Sequence, residues 1–195
     1  MNWQTVFNPF SKFSEKQLFI FGFLFFILDI LVCLYTSTRM DSIFHFSPKE
    51  NLTLSGAFVF VSISTASAIL FLFLVALLIN KRTRFIDIVN TVLLSQAPNF
   101  LVLLSIKYSG LETLANNQKT ADGSPPSLDL NSIAIIPFII GICVMLALIV
   151  YGFILIYNGF KTATNLKKGL QIALFVICLF VFTLLHQIYL QRLIL

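Results

Sequence analysis

Apolar residues fall along this chain in five long runs with almost no charge inside them, at residues 18–35, 52–79, 85–106, 132–157 and 169–190. Polar residues collect in the gaps. A hydrocarbon core about 30 Å thick is crossed by about 20 helical residues, and only helices or closed barrels satisfy every backbone polar group inside it. The pattern predicts an all-α protein, a polytopic transmembrane bundle of five helices forming a single domain over residues 17–195. Residues 1–16 stand apart as an interfacial segment, where Trp3, Phe7, Phe10 and Phe13 recur near helical spacing with Lys12 and Lys16 between them. Pro9 prevents a continuous helix there.

The third run is the most polar. Asp87, Thr91, Ser95 and Asn99 recur every four residues, which draws a stripe along one slowly drifting helix face, and such a face belongs against protein rather than lipid. Pro98 removes a backbone donor, so this run reads as a kinked, interior helix. In the first run Asp29 has apolar neighbours on both sides. It reads either as a proton or cation site or as a side chain that fixes helix packing, and the lack of a second buried acid or an intramembrane Lys or Arg favours packing. The stripe has the same two readings, a polar path or interhelical hydrogen bonding, and the second is the commoner use. Ser62, Ser64, Thr65, Ala66, Ser67 and Ala68 in the second run, with Gly141 and Gly152 in the fourth, allow close backbone approach. The gaps at 36–51 and 107–131 read as loops, the longer one rich in turn signals such as Asp122-Gly123 and Pro125-Pro126.

Composition excludes a soluble fold, since 58% of residues are hydrophobic and 11% charged. The net charge of +5 follows the topology and implies no nucleic acid. Lys12 and Lys16, then Lys81, Arg82 and Arg84, then Lys161, Lys167 and Lys168 fall on one side if the runs alternate. The opposite side carries Arg39, Lys49, Lys107, Lys119 and Arg192, diluted over longer gaps that also hold acids. Basic density therefore predicts a cytoplasmic N-terminus and an extracytoplasmic C-terminus. Cys33, Cys143 and Cys178 all lie inside apolar runs and form no disulfide framework.

Reactive constellations do not emerge. His45 and His186 lack Cys, Asp or Glu at metal-ligand spacing, and there is no phosphate-binding glycine loop, zinc-protease helix or nucleophile elbow. The reading is a protein without catalysis, cofactor or metal.

Asn8-Pro9-Phe10 precedes the first run, Pro98 lies within the polar third, and Tyr157-Asn158-Gly159-Phe160 ends the fourth, followed by a link over 161–169 into the fifth. In this order the chain resembles, over nearly its whole length, the Yip-domain family of Ypt-interacting membrane proteins. The resemblance implies five spans, a cytoplasmic N-terminus and, in eukaryotic members, trafficking work with Rab-type GTPases and partner membrane proteins. Those members carry a substantial N-terminal region for recognition, whereas residues 1–16 are all that precede the first run here. The expectation is therefore a prokaryotic-type member in a bacterial inner membrane, without a Rab-type partner.

The function that follows is a scaffold or accessory protein binding membrane-protein or lipid partners, or itself, laterally through small-residue helix faces and from the cytoplasm through its basic turns. A transport reading would use Asp29 with the stripe from Asp87 to Asn99 as a polar route. A third reading is anionic-lipid recognition by Lys81, Arg82, Arg84, Lys161, Lys167 and Lys168.

Overall fold

The computed structural model describes residues 3–108 and 135–193, with side-chain environments over 5–108 and 139–189. The expected loop at 107–131 lies outside the described residues from position 109 onward. In chain order the elements are α1 (Trp3–Phe7), a 3-10 turn (Pro9–Ser11), α2 (Glu15–Thr36), β1 (Thr38–Ser42), β2 (His45–Pro48), α3 (Leu54–Ile79), α4 (Phe85–Ser95), α5 (Asn99–Tyr108), α6 (Ile135–Thr164) and α7 (Gly169–Leu193).

Among the described residues five helical stretches are long and apolar enough to cross a membrane: Glu15–Thr36, Leu54–Ile79, Phe85–Tyr108, Ile139–Thr164 and Gly169–Tyr189. Local chemistry sets their starts. Ser14 accepts from the Gln17 amide while the Gln17 side chain returns to the Ser14 amide, a capping box that begins α2 three residues before the apolar run. Thr53 caps α3 through the Gly56 amide at 3.1 Å.

The third span is central. Its most apolar stretch is 67% buried, against 33% and 39% for the first two spans and 17% for each of the last two, so the most polar span is the one the others surround. It is also two helices rather than one. Pro98 has no amide to continue the α4 ladder, and Gln96-Ala97-Pro98 forms a turn in which the Asn99 amide donates to the Gln96 carbonyl at 2.8 Å.

The all-α expectation misses one element. Residues expected as a loop form an antiparallel hairpin, with Thr38 opposite Pro48, Arg39 opposite Ser47 and Met40 opposite Phe46. Met40, Asp41, Ser42 and Ile43 are completely buried. The hairpin enters the bundle: Met40 bonds Ser64 and Ile43 bonds Asn99, positions about 15 Å from the outer ends of α3 and α5 at a helical rise of about 1.5 Å per residue. Non-helical backbone is tolerated at such depth only when protein satisfies it. Here three helices do so. Ser64 donates to the Met40 carbonyl at 2.8 Å, His186 Nδ1 to the Asp41 carbonyl at 2.7 Å, and Asn99 Nδ2 to the Ile43 carbonyl at 3.0 Å.

Candidate functional site

Two polar constellations occupy opposite ends of the bundle, and the stripe on the third span is divided between them. At the hairpin end, Asp29 is fully buried and neither carboxyl oxygen has a hydrogen-bond partner. The Asn99 side chain is its polar neighbour and gives its own amide to Ile43. Beside this pair Gln96 and Thr65 exchange hydrogen bonds across α3 and the third span at 3.1 and 3.3 Å.

Histidines organise the hairpin's outer face. The Asp41 carbonyl can only accept, so His186 carries its proton on Nδ1 and leaves Nε2 for the Ser67 hydroxyl at 2.6 Å. The Gln187 amide donates to His45 Nε2 at 2.9 Å, which turns His45 Nδ1 toward Asp41 Oδ2 at 3.4 Å. Arg39 Nε completes the cluster 2.9 Å from Asp41 Oδ1. Burial pushes the Asp41 carboxyl up, but contacts from His45 and Ser47 and the Arg39 charge outweigh it and hold the group below the usual carboxylate range.

The other end is basic. Asn80 Nδ2 donates to the Thr164 carbonyl at 3.2 Å, joining the turn between α3 and α4 to the turn between α6 and α7. Lys81, Arg82 and Arg84 on the first, Lys167 and Lys168 on the second, and Lys161 in the last turn of α6 are all exposed. Lys161 lies over the Tyr157 ring, 5.8 Å from its centroid, and Arg84 forms an ion pair with Glu15.

Between these turns opens a cleft of about 230 Å³, walled by Phe10, Phe13, Glu15, Leu18, Arg84, Asp87, Asn90, Thr91, Gly159 and Thr162. The N-terminal segment is tied over it: Tyr151 donates to the Val6 carbonyl at 3.0 Å and Asn158 to the Phe7 carbonyl at 2.8 Å. Gly159 permits the approach. A Cβ there would stand 2.6 Å from Thr91 Oγ1 and 2.7 Å from Phe10 Cζ, distances at which something must move.

Asp87 and Thr91 thus belong to the cleft, and Asn99 to the Asp29 and hairpin end. Thr91 donates to the Asp87 carbonyl at 2.7 Å and Ser95 to the Val92 carbonyl at 2.8 Å, each within its own helix. The small residues are divided: Ser64, Thr65 and Ala68 are buried and Gly152 is pressed against Phe44, Pro98 and Ser95, while Ser62, Ser67 and Gly141 are half-buried and Ala66 is exposed. Sequence reasoning passed over Glu15, Asn90 and Thr162 as cleft residues, and Met40 and Ile43 as buried backbone acceptors. Phe10 and Gly159 carried a signal, since both sit in the short motifs on which the family resemblance rests.

Among the described residues no group of three His, Cys, Asp or Glu could hold a metal ion. Across known proteins, the family model described as Yip1 domain matches residues 3–190. No curated protein and no solved structure is matched.

Proposed function

This chain belongs to the Yip1 domain family, and from that premise we propose that it is a non-enzymatic multi-pass scaffold or accessory protein whose basic end receives membrane-protein or lipid partners. The observation that carries the reading is the meeting of Phe10, Thr91 and Gly159 around one open cleft. Three distant segments converge there, held by Tyr151 and Asn158, and the exposed basic turns border it. Positive-inside logic puts this end in the cytoplasm, and the proposed location is a bacterial inner membrane. Membrane organisation or trafficking is the corresponding process.

Burial along the stripe favours this reading over transport. Thr91, Ser95 and Asn99 are each at most 1% exposed, so the segment between the cleft and Asp29 is packed, as interhelical hydrogen bonding requires.

The test is co-isolation in nanodiscs formed directly from the native membrane, comparing the wild type with Thr162→Trp, which fills the cleft from an exposed position, and with Lys81→Glu/Arg82→Glu, which reverses the rim. A protein or lipid partner is expected with the wild type and is depleted from both variants at unchanged yield. A wild type that isolates alone, or identical partners in all three, overturns the proposal.

A further inference from the structure

We infer that the cleft at the basic end binds the headgroup of an ethanolamine phospholipid, its primary ammonium held by Asp87 and Asn90 and its phosphate facing Arg84. The inference deepens the scaffold reading by naming the ligand of its cleft, and rests on that reading for the cleft's role.

Charge balance comes first. The lining holds two acids, Glu15 and Asp87, against one cation, Arg84; Arg84 ion-pairs Glu15 and attracts Asp87 only at longer range, which leaves the cleft one positive charge short. An ammonium suits the interior, and an anion suits the rim. The second, independent observation is Asn90. It lines the cleft, is 2% exposed, and gives its Nδ2 to the Glu15 carbonyl at 3.3 Å, yet its Oδ1 has no partner. A buried acceptor without a donor is destabilising, and a ligand N–H aimed into the cleft supplies the donor. A primary ammonium has three N–H groups to share between Asp87 and Asn90; a quaternary choline has none.

Size and surroundings identify a lipid as the carrier. A volume of about 230 Å³ falls below the roughly 300–1,000 Å³ of pockets that enclose a whole drug-sized ligand, and fits a headgroup whose remainder lies outside. Outside the cleft an apolar track is ready. Phe13, on the cleft wall, meets Phe21 edge-on at 6.0 Å, and Leu24, one turn further along the same side of α2, is exposed as Phe21 is. Acyl chains leaving the headgroup would lie along that face. Arg84 keeps further guanidinium donors beyond the one spent on Glu15, which matches a phosphate at the mouth.

The experiment is native mass spectrometry of the full-length protein released from detergent with equimolar ethanolamine, choline and glycerol phospholipids of identical chains. Ethanolamine lipid should be retained about tenfold over choline lipid by the wild type, and within about twofold by Asp87→Asn and by Thr162→Trp. Lys81→Gln/Arg82→Gln, which leaves the cleft interior intact, should keep the preference. The idea is overturned by equal retention of ethanolamine and choline lipids, by a preference for glycerol lipid, or by an ethanolamine preference that survives both cleft variants. A further arm adds free phosphoethanolamine: if it displaces the lipid at equal concentration, the ligand is a soluble amine and the lipid assignment fails. Loss of lipid preference with protein partners still co-isolating would remove this inference and leave the scaffold reading standing.

Discussion

Asn99 and Ile43, 56 positions apart, are joined by a 3.0 Å hydrogen bond from the Asn99 amide to the Ile43 carbonyl. The contact links the break in the third span to the tip of the hairpin. Because Pro98 ends one helix and Asn99 begins the next, the side chain at the break is the one placed to serve a backbone group that would otherwise be stranded at membrane depth. The same device recurs at Ser64 and His186. A short piece of sheet is thus held inside a helical bundle by side chains from three different spans.

Replacing Asn99 by Leu keeps the volume and removes the donor. The Ile43 carbonyl then loses its partner at a cost of about 1–3 kcal/mol, and thermal unfolding in nanodiscs should fall accordingly. Ser64→Ala should act similarly through Met40. Both substitutions weaken the same hairpin, so the double variant should depart from additivity. A thiol-specific label offers a second readout: Ile43→Cys alone should stay protected and become reactive when combined with Asn99→Leu.

Gly159 and Gly169 make a matched pair for testing the basic end. A methyl group at Gly159 collides with Thr91 and Phe10, whereas nothing lies within 4 Å of a Cβ at Gly169. Gly159→Ala should destabilise by about 1–3 kcal/mol through overpacking and loosen the N-terminal segment, seen as faster amide exchange around Phe7 and Phe10. Gly169→Ala should leave unfolding unchanged or raise its midpoint slightly, since Ala is the better helix former. Equal behaviour of the two would mean that the close approach at Gly159 does not constrain the fold.

Hydropathy made the spans legible because a bilayer imposes length and apolarity on each of them separately. The Gln96-Ala97-Pro98 break was readable for a local reason too, the missing Pro98 amide. Nothing comparable marked the hairpin. Thr38-Arg39-Met40-Asp41-Ser42 carries two charges and no clean alternation, and its burial depends on Ser64, Asn99 and His186, which are remote in sequence. The cleft was hidden likewise. Asn90 looked like one more polar residue on a helix, and its significance lies in an oxygen left unpaired by tertiary packing. Gly159 stood out only as part of Tyr157-Asn158-Gly159-Phe160, with no sign in the residues themselves that Phe10 would meet it.

Asp41 supplies a pH dependence whose direction can be worked out. Its folded-state pKa lies below the ordinary carboxylate value, about 3.9 in the unfolded chain, so ionised Asp41 favours the folded form. The contribution is present above the unfolded value and is lost as pH falls through the depressed folded one. Unfolding midpoints of the wild type should therefore drop more steeply than those of Asp41→Asn as the pH is lowered below about 4. Arg39→Gln removes one of the charges that depress the folded-state value, so that value moves up toward the unfolded one and the drop should become shallower. Parallel curves for wild type and Asp41→Asn would show that the Arg39 ion pair and the His45 contact do not contribute.

Asp29 decides between a packed interior and a route through it. A permeation path along the third span would need hydrated groups from Asp87 to Asn99, but Thr91 and Ser95 direct their hydroxyls to carbonyls of their own helix and are completely buried. Vesicles reconstituted with the wild type should accordingly show proton and sodium fluxes no greater than protein-free vesicles, and Asp29→Asn should not alter them. A flux abolished by both Asp29→Asn and Asn99→Leu, with each variant still folded by circular dichroism, would reverse the conclusion. It would make the buried carboxyl and the amide beside it members of a conducting pathway, reached by motions that open the stripe between Thr91 and Ser95.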